Sequence, residues 1–153
     1  MDIRYINSFI TGLLHISNML GLHNMQRTAL GKKEKLMTDN DVNVIMGLVG
    51  DVKGNVVLSM QEKTACSIAS VMMGGMPVES FDYMPKSAVC EMSNMVVGHT
   101  LMQIEKTGLL LSITPPVLIS GSNLISLISQ VETIAIQFSS QEGNIEMNVA
   151  LEA

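Results

Sequence analysis

Two segments of this chain occur twice in the same order, and this internal repeat constrains the fold more than any other sequence feature. The segment HISNMLG (15–21) resembles EMSNMVVG (91–98), and GNVVLSM (54–60) resembles GNIEMNV (143–149). Matches in both segments and in the same order indicate two structurally similar halves. Each half contains a predicted helix followed by a predicted hairpin, so we expect a pseudo-twofold repeat.

Three stretches have the pattern of helices. Apolar residues recur at helical spacing over residues 3–20, and Gly21 is well placed to end that helix. The segment EKTACSIASVMMGG (62–75) predicts a second helix that stops at its glycines. Asp82 can cap a third helix that runs to about Lys106, with Pro85 tolerated in its first turn.

The remaining apolar runs have the pattern of strands. Residues 42–60 predict a hairpin around GDVKG, and residues 132–152 predict a second one that turns at SQEGN. The prolines in LLLSITPPVLISG (109–121) place that strand at an edge or a bend. Residues after the first helix, including GKKEK (31–35), are expected to form a solvated loop. We therefore predict a single α+β domain over residues 1–153, with an antiparallel sheet flanked by long helices.

Composition excludes several classes of function. The formal net charge of −5, with three Phe, two Tyr and no Trp, argues against a nucleic-acid partner. No apolar run approaches the roughly 18 residues of a membrane span, and the first residues lack a signal-peptide layout, so a cytoplasmic protein without membrane contact is expected. Cys66 and Cys90 have no CxxC spacing and no paired histidines, so a structural zinc site has no ligand set and both thiols are expected to be buried and reduced.

The third predicted helix carries a narrow polar stripe. At about 100° per residue, the stripe spans an arc of about 60°. Its members are Ser87, Glu91, Asn94, Gly98 and Glu105. The adjacent face is predicted to be the core side of the helix, and it includes Ala88, Met92, Met95, Val96, His99 and Met102.

A solvated helix face explains this stripe without any function. Gly98 favours a functional face, because a glycine inside a helix costs about 1 kcal/mol relative to alanine and usually has a packing or access reason. A bare patch one turn beyond Asn94 would let another surface come close.

The segment SAVCEMSNMVVG (87–98), with the hairpin GLVGDVKGNVVLS (47–59) and the element order, resembles the CheC/CheX family of chemotaxis phosphatases, and the CheX branch more closely. The family motif is an Asp or Ser, three residues, Glu, two residues, Asn and a later proline. Ser87, Glu91, Asn94 and then Pro115 or Pro116 match it in turn, although the prolines fall slightly early.

This resemblance implies a phosphatase that hydrolyses the aspartyl phosphate of a CheY-like response regulator. Asn94 would orient the attacking water, and Glu91 would pair with a lysine of the regulator. Ser87 and Gly98 would contact the partner. The regulator's own carboxylates would hold a magnesium ion, so this chain would need no cofactor of its own. The resemblance also implies a homodimer formed by strand pairing, for which the apolar edge around residues 115–121 is a plausible place.

The first half departs from the second at the equivalent positions. Asn18 stands where Asn94 does, but His15 replaces Glu91, so we predict one working site per chain with His15 and Asn18 as ordinary helix residues. His99 is predicted to be a core or boundary histidine. Two alternatives stay open: a non-catalytic interaction module that binds response regulators or resembles the flagellar switch proteins, and a generic α+β domain.

Overall fold

Three helices and nine strands make up the computed structural model, which describes residues 2–122 and 126–152. The helices are α1 (Ile3–Leu20), α2 (Glu62–Met72) and α3 (Tyr83–Glu105). The strands are β1 (Gln26–Lys33), β2 (Leu36–Thr38), β3 (Val42–Gly50), β4 (Lys53–Met60), β5 (Leu111–Ile113), β6 (Val117–Ser120), β7 (Ser126–Ser129), β8 (Thr133–Ser140) and β9 (Gly143–Glu152). The α+β class, the three helices and the two hairpins are confirmed.

The main sheet has a symmetric strand order. It runs β1-β8-β9-β4-β3-β5, β6 also pairs with β3, and all pairs are antiparallel. The hairpins β3–β4 and β8–β9 meet in the centre, where Val56 lies opposite Val149. Each half also supplies an edge, β1 from the first half and β5 with β6 from the second. The strand order therefore agrees with the pseudo-twofold repeat seen in the sequence.

All three helices pack on one face of this sheet. Alternate residues of the central strands point to the helices and are buried, as in the series Val56, Leu58 and Met60 of β4. Successive side chains of a strand point to opposite faces of the sheet, which gives this alternation. On the opposite face, β2 pairs with β7, and Leu36 packs against Val57 and Ala150.

A glycine sets the close approach of α1 to α3. A Cβ atom at Gly12 would overlap Thr100 Oγ1 and would lie 3.2 Å from the Val96 carbonyl oxygen. Thr100 Oγ1 donates to that carbonyl at 2.8 Å and lies 3.4 Å from the Ser8 carbonyl oxygen. Thr100 lies between Ser8 and Gly12, and Val96, one turn earlier in α3, also lies beside Gly12, so the two helices run antiparallel.

Three sequence predictions are wrong in detail. Residues 22–41 do not form a polar loop throughout, since they contain β1 and β2, and the basic run 31–35 lies partly in β1. Met102 was predicted to face the core but is 57% exposed. Asp82 occupies the N-cap position of α3, yet its side chain makes no capping hydrogen bond.

A polar cluster surrounds Glu146 on the sheet face opposite the helices. The carboxylate of Glu146 accepts hydrogen bonds from Lys33 at 2.9 Å, Gln137 at 2.5 Å and Asn148 at 2.6 Å. Burial by itself would raise the pKa of Glu146, but these three donors and the charge of Lys33 outweigh burial and hold that pKa below its ordinary value. The ionised carboxylate therefore stabilises the fold.

Replacing Glu146 by glutamine is expected to lower the free energy of unfolding at pH 7 by about 2 kcal/mol, because charge-assisted hydrogen bonds are lost. The folded pKa is depressed, so this contribution is present above the ordinary value of 4.5 and is lost as the pH falls through the folded pKa. Urea unfolding at several pH values between 7 and 3 measures the difference between wild type and variant. A difference that stays constant over this range would contradict the prediction, and Glu132→Gln, at an exposed carboxylate, is the control.

Candidate functional site

The polar stripe of α3 faces away from the core. Ser87 and Glu91 are exposed, whereas Asn94 and Gly98 are half-buried. Within residues 2–122 and 126–152, the side chains of Glu91 and Asn94 make no hydrogen bond to another residue. The carboxylate and the carboxamide are therefore available to groups of another molecule.

The opposite side of α3 holds this stripe in place. Val89, Met92, Val96 and Val97 are fully buried between the sheet and the other helices. Residues three apart on a helix have Cβ atoms about 5–6 Å from each other, so Glu91 and Asn94 are neighbours on one surface. A packed helix thus presents both groups at a fixed spacing.

Within the described part of the chain, no packing contact explains why position 98 is a glycine. A Cβ atom at this position would meet no atom within 4 Å, in contrast to Gly12. The glycine therefore keeps a patch of helix backbone bare beside Asn94, where an approaching surface could come close.

Replacing Gly98 by alanine is expected to raise the free energy of unfolding by about 1 kcal/mol, because the new methyl group meets open space and alanine favours the helix. The same change is expected to weaken partner binding, because it covers the bare patch. Chemical denaturation and a binding titration measure the two effects. Gly31→Ala is the matched control for partner binding. A Cβ atom at Gly31 also meets open space, but this position lies in β1, away from α3, so the change is expected to leave binding unaltered. A Gly98→Ala variant that binds like wild type would contradict the role of Gly98 in close approach.

The site is a surface and not a pocket. A cavity of about 710 Å³ lies elsewhere, between α2, residues 77–79 and the turn between β8 and β9, and neither Glu91 nor Asn94 lines it. Small ligands usually occupy concave, largely apolar sites. An exposed helix stripe instead suits the surface of another protein. Among the described residues, no three His, Cys, Asp or Glu side chains cluster as metal ligands would.

The equivalent region of α1 carries different groups. Asn18 is exposed, and the exposed ring of His15 stacks on the half-buried ring of His99, with centroids 4.4 Å apart and 19° between the planes. Burial, helped by the nearby His15 and Lys106, lowers the pKa of His99. The boundary position of His99 is as predicted, but the stack that joins α1 to α3 has no signal in the sequence.

Comparison with known proteins identifies the family. Residues 42–139, more than half of the chain and including Glu91 and Asn94, match the family model described as chemotaxis phosphatase CheX. The chain belongs to this CheX family. It is therefore a phosphatase, as the sequence resemblance indicated.

Individual relatives agree with this family. The CheY-P phosphatase CheX of Thermotoga maritima is 30% identical over 131 residues, which cover 81% of this chain and 80% of the relative. A CheC-like superfamily protein from Shewanella sp. PV-4 has a TM-score of 0.89 at 25% identity, with complete coverage of both chains.

A third relative was solved with a partner. The chain from the CheX–CheY–BeF3–Mg²⁺ complex of Borrelia burgdorferi has a TM-score of 0.78 at 27% identity, covering 97% of this chain and 98% of that one.

None of the helices described for the present chain has the length and apolar character needed to cross a membrane.

Proposed function

We propose that this chain hydrolyses the aspartyl phosphate of a CheY-like response regulator. The observation that carries the proposal is the pair Glu91 and Asn94, which lies on the exposed face of a packed helix and has no hydrogen bond to the rest of the described chain. The relative from Thermotoga maritima is a CheY-P phosphatase, and the relative from Borrelia burgdorferi was crystallised with CheY, which supports this choice of partner.

Asn94 is proposed to orient the attacking water. An acyl phosphate is labile, so its hydrolysis needs a water in line with the phosphorus and no nucleophile from the phosphatase. The water oxygen forms a bond to phosphorus, the bond to the aspartyl oxygen breaks, and the products are a free aspartate carboxylate and inorganic phosphate. The carboxamide of Asn94 can hydrogen-bond the water, and it carries no charge to repel the phosphoryl oxygens.

Glu91 is proposed to dock the regulator through an ion pair with a lysine beside its phosphorylated aspartate. Glu91 is exposed and one helical turn from Asn94, so a bound lysine would hold the phosphoryl group near the carboxamide. Ser87 and Gly98 lie on either side of the pair along α3 and would contact the same partner. The magnesium ion of the reaction would be held by the regulator. Because the chain would act on a response regulator of the chemotaxis type, the reaction is proposed to take place in the cytoplasm.

A homodimer formed through β6 is also proposed. Within residues 2–122 and 126–152, this strand lies at an edge of the sheet and pairs only with β3. Its residues Val117 and Ile119 are 57% and 37% exposed. The opposite edge, β1, carries Arg27, Lys32 and Lys33, and such charges discourage the pairing of two copies. A monomeric mass by light scattering at micromolar concentration would overturn this proposal.

The decay of phosphorylated response regulators, with and without this chain, tests the proposed function. Candidate regulators from the same genome are phosphorylated with a small-molecule phosphodonor, and phosphate release is followed over time. Acceleration well beyond the regulator's own rate supports the phosphatase. If a phosphorylated regulator binds this chain but decays at its own rate, the phosphatase proposal is wrong and the chain is a non-catalytic interaction module.

A further inference from the structure

We infer that α1 forms the second half of the surface that docks the response regulator, and that the stacked rings of His15 and His99 are a specificity-determining contact there. This inference rests on the proposed function. It differs from the prediction that His15 is an ordinary helix residue of a repeat copy without a working site.

The first step concerns distance along α3. His99 follows Asn94 by five residues, which at a rise of 1.5 Å per residue is about 7.5 Å along the helix axis. A typical protein interface buries about 800 Å² on each partner, the area of a disc with a radius of about 16 Å. His99 also lies about 140° around the helix from Asn94, on the side of its contact with His15 of α1, so it falls within such an interface where the docked domain extends toward α1.

The second step concerns the width of the surface. A single helix is only about 10 Å wide with its side chains, so α3 alone is too narrow for such an interface. α1 runs antiparallel to α3 in direct contact with it, as Gly12 and Thr100 show, and the ring of His15 lies on the ring of His99. α2 also packs against α3, and a docked domain that extends from α3 toward α1 covers the stacked rings.

The third step concerns the chemistry of the flanking groups. Met19 follows His15 by four residues on α1, Met102 follows Gly98 by four residues on α3, and their exposed fractions are 61% and 57%. Methionine and aromatic side chains are enriched in protein interfaces. Within the described ranges, neither ring of the stack has a hydrogen bond to another residue. The pair therefore presents a flat surface with free ring nitrogens.

This arrangement indicates what the stack would recognise. His15 stands at the repeat position of Glu91, so α1 has no carboxylate there for a second lysine. A flat imidazole pair flanked by methionines instead fits an apolar or aromatic side chain of the receiver domain beside its phosphorylation site. Regulators that differ at this side chain would differ in affinity while the chemistry at Asn94 stays the same.

His15→Ala tests the inference. The variant is expected to raise KM for the phosphorylated receiver, and Kd for the same receiver activated with beryllofluoride, about fivefold to tenfold, with kcat within about twofold of wild type. His15→Gln, which keeps a polar side chain without the ring, is expected to behave in the same way. Asn7→Ala is the matched control, because Asn7 is exposed on α1 but lines the groove that faces β1. Thermal unfolding of each variant establishes that it is folded.

The outcomes separate this inference from the proposed function. If wild type accelerates decay and both His15 variants keep the wild-type KM and Kd, the docking role of α1 is wrong and the phosphatase stands. A lower kcat at unchanged KM would also overturn the docking role. If wild type accelerates the decay of no regulator, the proposed function fails, and the inference falls with it.

Discussion

Replacing Asn94 by alanine is expected to lower kcat for the phosphorylated receiver by about 100-fold or more, because the attacking water is no longer held in line with the phosphorus. Asn94 is half-buried on the exposed side of α3 and makes no hydrogen bond within the described chain, so its loss leaves the fold unchanged. Rapid-mixing measurement of phosphate release gives kcat and KM. Binding of the beryllofluoride-activated receiver is expected to stay within a few-fold of wild type.

Two further variants sharpen this prediction. Asn18→Ala is the matched control, since Asn18 is the repeat equivalent of Asn94 on α1 and is expected to leave kcat unchanged. Glu91→Ala is expected to act mainly on KM, because the ion pair with the regulator's lysine is lost. An Asn94→Ala variant whose kcat stays within about threefold of wild type would remove the carboxamide from the mechanism.

Replacing Gly12 by leucine is expected to lower the free energy of unfolding by about 3 kcal/mol, near the upper end of the usual cost of overpacking a core. Even a Cβ atom at Gly12 would overlap Thr100 Oγ1 and press on the Val96 carbonyl, so a larger side chain must push α1 away from α3. Urea unfolding measures this change.

Thr11→Leu is the matched control for the Gly12 variant. Thr11 is the neighbouring residue of α1 and is exposed, so leucine there is expected to change the free energy of unfolding by less than about 0.5 kcal/mol. If Gly12→Leu has as small an effect, the two helices have room to separate, and the close approach at Gly12 is not a determinant of stability.

The two designs also probe different parts of the molecule. Asn94 is proposed to act in the reaction and has no hydrogen bond to the rest of the described chain, whereas Gly12 acts in packing at a distance from the stripe. A Gly12→Leu variant that remains folded is expected to displace the His15 ring from His99, because the overlap lies between the same two helices. Its KM should then rise in the manner expected for His15→Ala.

The helices and hairpins could be predicted because their patterns are local. The helical spacing of apolar residues over 3–20, with Gly21 in a left-handed conformation at φ 87°, determines α1 and its end. The apolar runs that became β3 and β4 flank the glycines of GDVKG, and this pattern predicted the first hairpin. The same helical periodicity placed Ser87, Glu91, Asn94 and Gly98 on one stripe.

Elements held by distant partners could not be predicted in this way. β1 is exposed along nearly its whole length, so it has no apolar alternation, and it is a strand because its backbone pairs with β8. β2 likewise depends on its pairing with β7. Met102 was assigned to the core, but it lies only about 20° around the helix from Glu91, at the border of the exposed stripe, and a helical wheel does not say how far a neighbouring element covers such a border.

By itself, the sequence determined the repeat, which is visible by comparing segments of the chain. It also determined the principal helices and hairpins and the stripe of α3, because each of these depends on residues close together along the chain. Only the tertiary structure decided that α1 lies beside α3, that His15 stacks on His99, and that Gly12 is required by packing while Gly98 is not. The physical reason is that these features depend on contacts between residues far apart in the chain. The packing of the helices on one face of the sheet brings such residues together.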